Sequence, residues 1–125
     1  MKTETLMDGT VSCLSPEEVA EGLEQGDILL IDVRTPQEFA YERIGAALLA
    51  PMQSLQTRHL PRDADQRVVL HCGSGMRSRK VAEMMLADGR SRAAHMEGGL
   101  AAWKKAGLAY TGTDPATGAP KQMSD

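Results

Sequence analysis

The 125-residue sequence predicts one α/β domain, with a parallel sheet of roughly five strands and helices on both of its faces. Three observations carry this. Short apolar runs alternate with segments that open on a capping residue followed by proline. Two of the runs, ILLIDV at 28–33 and RVVLHC at 67–72, are apolar without the alternation of a half-exposed strand, so both sides of the sheet must be covered. Aromatics make up 3% of the chain against 42% hydrophobic residues, so the core is aliphatic, with Phe39 and Trp103 as its rare large pieces.

In chain order, VSC at 11–13 reads as a short strand. SPEEVAEGLEQG then supplies Ser15 as N-cap, Pro16 at the first helical position, Glu18 to complete a capping box and Gly26 as a stop. After the strand at 28–33, TPQEFA repeats the same start with Thr35, Pro36 and Glu38. AALLA at 46–50 is a strand whose residues suit a helix better. RVVLHC leads into a helix over about 77–88 ended by Gly89, with Met84 and Met85 as core filler. RAAHM is the next strand, and GGLAAWKKAG a short helix closed by Gly107, from which Trp103 should wedge the 77–88 helix against the sheet. Residues 10–110 thus form the expected domain, while 1–9 and TGTDPATGAPKQMSD at 111–125 read as loose extensions.

Charged residues are 25% of the chain and the net charge is −3, which gives no global reason to expect nucleic acid or an anionic membrane as partner. The opening MKTETLMDGTVSC lacks the apolar centre of a signal peptide, and no apolar run approaches the ~18–20 residues that span a bilayer. Two cysteines, Cys13 and Cys72, make neither a disulfide scaffold nor a metal cluster. The expected compartment is the reducing cytoplasm, with Cys72 a free thiol and no metal or cofactor. His59 reads as exposed and Cys13 as an inert buried thiol, with a redox role open only if it lies near Cys72.

Parallel α/β sheets place ligands at the carboxyl ends of their strands. Asp32, Arg34 and Cys72 all fall there. Cys72 opens the turn CGSGMRS, in which Gly73, Ser74 and Gly75 let successive amides face inward as a nest for an anion. The helix that follows adds free N–H groups and the positive end of its dipole, and Arg77 adds a permanent charge. Together these favour thiolate over thiol and should bring the pKa below the ordinary ~8.5. The competing reading of a lone strand-end cysteine is a small buried hydrophobe. A nucleotide loop is disfavoured, because neither GxGxxG nor GxxxxGK[ST] is present.

CGSGMRS resembles the active-site loop of the rhodanese family, roughly Cys-x-x-Gly-x-Arg-Ser or Thr. IDVRTPQEFAYERIGAALLAP is similar to the family's DVR…EF…GHI.GA.N.P element, and MEGGLAAWKKAGL to its GG…W…G.P close. The resemblance implies a rhodanese-like fold and a sulfurtransferase that needs no cofactor. Cys72 would take sulfane sulfur from a small anionic donor such as thiosulfate, hold it as a persulfide, and pass it to cyanide, a thiol or a thioredoxin-like dithiol. Gly73, Ser74, Gly75, Met76, Arg77 and Ser78 would then line the substrate site, Arg34 could line its mouth, and Asp32 would brace the loop. The chain departs from the pattern at Glu42 and Arg43, at Leu48 or Leu49, and in GLAY. CGSG also resembles the loop of mercaptopyruvate-type sulfurtransferases, which carry two domains and a Thr in place of Arg77.

Two other classes use the same parts. Cysteine phosphatases and related arsenate reductases need a Cys-x5-Arg loop wide enough for a tetrahedral oxyanion, whereas Cys72 to Arg77 is Cys-x4-Arg. A non-catalytic binding module of this fold would typically have lost the cysteine. His71 alternates to the far side of its strand and reads as packed, while His95 ends a strand near the site edge. Asp32 and Arg34 share one side of a strand, where a structural ion pair competes with a role at the mouth, and Glu38 reads as a cap partner.

Overall fold

A computed structural model describes residues 1–124 of the chain. Its elements are β1 (Lys2–Leu6), β2 (Gly9–Leu14), α1 (Pro16–Glu24), β3 (Ile28–Asp32), α2 (Pro36–Tyr41), β4 (Leu48–Leu49), a 3-10 turn at Thr57–His59, β5 (Arg67–His71), α3 (Met76–Ala87), β6 (Arg92–Met96), α4 (Gly99–Lys105), β7 (Tyr110–Thr113) and β8 (Pro120–Met123). Six strands form one sheet in the order β1-β2-β6-β5-β3-β4. All neighbours are parallel except β1, which runs antiparallel to β2 at the edge.

The fold class is the expected one, with one strand more than expected. The extra strand comes from residues 1–9, which were expected to be loose. Lys2 pairs with Cys13 and Leu6 with Gly9, so the alternating KTETL lies along the sheet edge. The signal is faint because both faces of β1 are polar; only Leu6 turns partly inward. Of the tail expected over 111–125, Asp125 lies outside the described residues, and the rest takes part in a hairpin, Tyr110 pairing with Met123 and Thr113 with Pro120. Its Gly- and Pro-rich composition marks the turn rather than disorder.

Both helix starts form full capping boxes, Ser15 with Glu18 and Thr35 with Glu38. The sheet separates two apolar layers. Val68, Leu70 and Cys72 face one layer with Val81, Met85 and Leu86 of α3, while Val69 faces the other with Val19, Leu100 and Trp103. Two expectations fail here. Met84 is 39% exposed, because only Met85 of the pair falls on the buried stripe of α3. Trp103 packs α4 onto the opposite side of the sheet from α3, its indole donating to the Ala109 carbonyl at 3.0 Å.

The junction of β5 and α4 shapes everything that follows. Leu100 and Ala101, in the first turn of α4, donate to the carbonyls of Cys72 and Gly73 at 2.8 and 3.1 Å. So close an approach needs a glycine at 99. Its φ is +59°, and a Cβ there would lie 2.4 Å from the Cys72 carbonyl oxygen. Gly99→Ala should therefore cost at least the ~1–2 kcal/mol of a left-handed alanine, before any steric overlap is added. A thermal melt should show a drop of roughly 5 °C or more, and an unchanged midpoint would refute the close contact.

Candidate active site

Cys72 follows directly on β5, and its side chain is 0% exposed. Burial raises the pKa of such a thiol, so ionisation depends on what replaces water around the sulfur. The turn supplies it. Gly75, at φ +100° in the N-cap position of α3, donates its N–H to Sγ at 3.0 Å. The N–H of Ser78 lies 3.4 Å from Sγ and its hydroxyl 3.7 Å. The largest single effect on Cys72 is burial, which pushes the pKa up. The Ser78 N–H and hydroxyl together with the amides of Ser74 and Gly75 outweigh it, and the net shift is downward. Cys72 is thus a packed core residue whose sulfur nonetheless faces donors that favour the thiolate.

Arg77, expected to bring a positive charge near the thiol, forks its guanidinium onto Glu38 at 2.7 and 2.9 Å. Glu38 is at once the cap partner of Thr35 and the anchor of Arg77, a double role that the capping pattern alone does not reveal. The Arg77 bond above all holds the Glu38 carboxyl at about 2, so the pair stays charged down to that pH. Gly73 lies under the same guanidinium, since a Cβ there would meet Arg77 Nη2 at 3.3 Å. Ser74 and Gly75 cover the thiol, and Met76 at the head of α3 is 79% exposed beside them.

Asp32 and Arg34 form the buried ion pair that their spacing suggested. Arg34 Nη2 reaches Asp32 Oδ2 at 2.8 Å and the Glu42 carbonyl at 2.7 Å. Arg34 thus ties the end of β3 to the end of α2. It also borders a cleft of about 410 Å³ shared with Glu38, Glu42, Gly73, Leu100, Ala101 and Lys104. A second cleft, of about 390 Å³, opens on the other flank of the turn, between Glu4, Cys13, Ser74, Gly75, Met76, Arg79, His95 and Glu97. The turn therefore forms a wall between two openings. A third cleft, near Arg62, Arg90 and Arg92, lies at the far ends of the strands and away from the thiol.

His71 is fully buried on the far side from Cys72, as the alternation predicts. Its Nδ1 lies 3.2 Å from the Cys72 carbonyl and its Nε2 3.5 Å from Asp32 Oδ2. Burial holds it neutral despite the nearby carboxylate. His95 is nearer the chemistry than expected: its Nδ1 lies 2.9 Å from Ser78 Oγ and its Nε2 3.5 Å from Cys13 Sγ. Only the pairing of β6 between β2 and β5 reveals this, because Cys13 and Leu70 are the partners of His95 in register.

Comparison with known proteins agrees with the geometry. The family model described as Rhodanese-like domain matches residues 15–106. An uncharacterized protein of Synechocystis is 36% identical over 95 residues, covering 76% of this chain and 53% of that protein. A protein named sulfurtransferase from Allochromatium vinosum is 39% identical over 84 residues, 66% of this chain and 77% of its own length. The thiosulfate sulfurtransferase GlpE of Haemophilus influenzae is 33% identical over 96 residues, covering 76% of this chain and 90% of that protein. This chain thus spans about half of the first of these relatives and most of the other two. The crystal structure of a rhodanese-related protein from Thermoplasma volcanium superposes with a TM-score of 0.68 at 23% identity, over 79% of this chain and 96% of that one, which speaks for the fold. The match of the family model over residues 15–106, most of the chain, makes this chain a member of the rhodanese-like domain family.

Proposed function

We propose that the protein is a sulfurtransferase that carries sulfane sulfur as a persulfide on Cys72. The observation that supports this most is the convergence of the Gly75 and Ser78 N–H groups on one sulfur atom, with the Ser78 hydroxyl 3.7 Å from it. With thiosulfate as donor, the Cys72 thiolate attacks the outer sulfur, a new S–S bond forms, and sulfite leaves with the electron pair of the old one. The charge then rests on the outer sulfur, within reach of the loop amides. Cyanide, a thiolate or one sulfur of a thioredoxin-like dithiol next attacks that outer sulfur and releases Cys72 as thiolate. No cofactor takes part, because the cysteine itself holds the group in transit.

The Cys-x4-Arg spacing supports sulfur over phosphate as the transferred group. The donors here close on a single atom, whereas a phosphoryl group needs three oxygens cradled at once. Incubation with thiosulfate should add the mass of one sulfur to the intact protein and release sulfite. The added mass should map to the peptide holding Cys72 and be lost in Cys72→Ser. Hydrolysis of an aryl phosphate, without any gain of sulfur from the donors, would overturn the proposal in favour of a phosphatase.

Arg77 reaches an anionic donor only in competition with Glu38. Glu38→Gln keeps a capping-box side chain, since Gln also serves at that position, but removes the charge that holds Arg77. The KM for thiosulfate should fall about two- to fivefold, the size expected of a partly exposed pair worth under ~1 kcal/mol. Arg77→Ala should raise it. Unchanged KM values in both variants would leave Arg77 with a structural task alone.

The lowered pKa of Cys72 sets the pH dependence. The reactive thiolate is lost as pH falls through the folded-state pKa, which lies below the ordinary thiol value. Persulfide formation should therefore rise with pH and level off below the range where a free thiol would. A profile still rising steeply above pH ~9 would contradict the loop's effect on the sulfur.

A further inference from the structure

Four side chains from four parts of the fold lie end to end behind the thiol. Cys13 on β2 is 3.5 Å from His95 Nε2 on β6, His95 Nδ1 is 2.9 Å from Ser78 Oγ on α3, and Ser78 Oγ is 3.7 Å from Cys72 Sγ at the end of β5. All four are buried. The two distal ones, Cys13 and His95, have no part in sulfur transfer as written above. Yet polar side chains buried in sequence like this must agree on who donates to whom.

The agreement has one direction. Burial, with Glu4 and Glu97 nearby, keeps Cys13 a protonated thiol, so it can donate to a bare ring nitrogen. Burial also keeps His95 neutral, helped by Arg79 of α3, against the opposing pull of Glu97 beyond β6, Glu4 of β1 and Glu83 of α3. Arg79 is itself paired with Glu4 and Glu83 at 2.7 and 2.9 Å. A neutral ring that accepts at Nε2 carries its single proton on Nδ1, and the bond at the second nitrogen selects the tautomer. That Nδ1–H donates to Ser78 Oγ, which leaves the hydroxyl proton free for Cys72. The opposite tautomer would draw the Ser78 proton onto Nδ1 and leave the sulfur without it.

We propose that His95 is a positioning residue, held in one tautomer by the Cys13 thiol, that turns the Ser78 hydroxyl proton onto the Cys72 sulfur. The alternative acceptor for that proton is the Gly75 carbonyl, 3.3 Å from Ser78 Oγ. When Cys72 is ionised its charge outcompetes the neutral carbonyl, because a charge-assisted bond is about twice as strong as a neutral one. When the charge has moved to the outer sulfur of a persulfide, the proton can return to Gly75. The proposal gives Cys13 a task without any oxidation or transfer at that sulfur. It rests on Cys72 working as the ionised sulfur carrier.

The test is the pH profile of alkylation of Cys72 by iodoacetamide, resolved from Cys13 by peptide mass. His95→Phe should raise the apparent Cys72 pKa by about 0.5–1 unit, the worth of one hydrogen bond of ~1 kcal/mol. Ser78→Ala should raise it at least as far, and His95→Phe should add nothing to Ser78→Ala, since both remove the same proton from the sulfur. Cys13→Ser, which keeps a donor, should retain the wild-type pKa, while Cys13→Val should shift it part of the way to that of His95→Phe. His95→Asn, which can offer a side-chain N–H in the place of Nδ1, should restore most of the loss and no longer respond to Cys13→Val. Thermal melts run alongside identify the folded variants, and His95→Asn and the Cys13 pair decide the question if His95→Phe fails to fold. A pKa unmoved in the folded variants, or equal His95→Phe shifts with and without Ser78, would overturn the proposal. Thiosulfate loading is followed separately by mass: a Cys72 that takes no sulfur but shows these shifts sinks the transfer reading and spares the relay.

Discussion

A sulfur atom shut away from water can hold a negative charge only where the surrounding chain takes the place of the solvent. That constraint organises the molecule around Cys72. Two backbone N–H groups, from Gly75 at the start of α3 and Ser78 within its first turn, point at Sγ, and the Ser78 hydroxyl lies 3.7 Å from it. The turn keeps this shape because α4 holds the carbonyls of Cys72 and Gly73 from behind, leaving its inner amides free to face the sulfur. The closeness of the α4 start, permitted by Gly99, therefore shapes the surroundings of the sulfur as much as Gly75 does. Donors on one side of the Cys72 peptide and acceptors bound on the other hold the turn in addition to the packing of Cys72 in the apolar layer beneath α3.

Charge around the thiol is arranged in pairs rather than as a positive field. Arg77 is held by Glu38, Arg34 by Asp32, and Arg79 by Glu4 and Glu83. The deeply buried Asp32–Arg34 pair braces the ends of β3 and α2, where the desolvation of both charges is offset by several hydrogen bonds. The Arg77–Glu38 pair is half exposed and correspondingly weaker. The cleft beside the turn is thus bordered by one arginine in a partly exposed pair and another fixed in the frame.

Much of this was legible in the chain because local rules and tertiary packing agree there. The strand at 67–72, the glycine turn and a helix start at about 77 all announce themselves, within one residue of β5 and α3 as they stand. The two capping boxes were equally plain. What stayed hidden was set by register and by surface pairing. KTETL carries no apolar face, so nothing local marks it as the edge strand it becomes. Glu38 looks complete as a cap partner, and its second hold on Arg77 depends on how α2 leans toward α3. His95 lies 17 residues from Ser78 and 82 from Cys13, and only the strand order brings them into line. The opposite placements of Met84 and Met85 show the same limit at one-residue scale.

The hairpin at the carboxyl end has a bearing on the site that its distance from the thiol conceals. Helix α2 has no fully buried residue of its own. At its far end, Arg43 and Thr111 exchange backbone hydrogen bonds at 2.7 Å, and the Thr113 hydroxyl donates to the Tyr41 carbonyl at 2.7 Å. The two positions where the chain departs from the family's GHI are employed here, Arg43 in that exchange and Glu42 in a salt bridge to Lys104. Helix α2 is thus held by Arg77 near its start and, at its far end, by the hairpin together with Arg34 and Lys104. In mechanical terms the hairpin is a stay: a chain cut short before Thr111 would keep the cysteine turn yet lose part of the far support of the helix whose carboxylate grips Arg77.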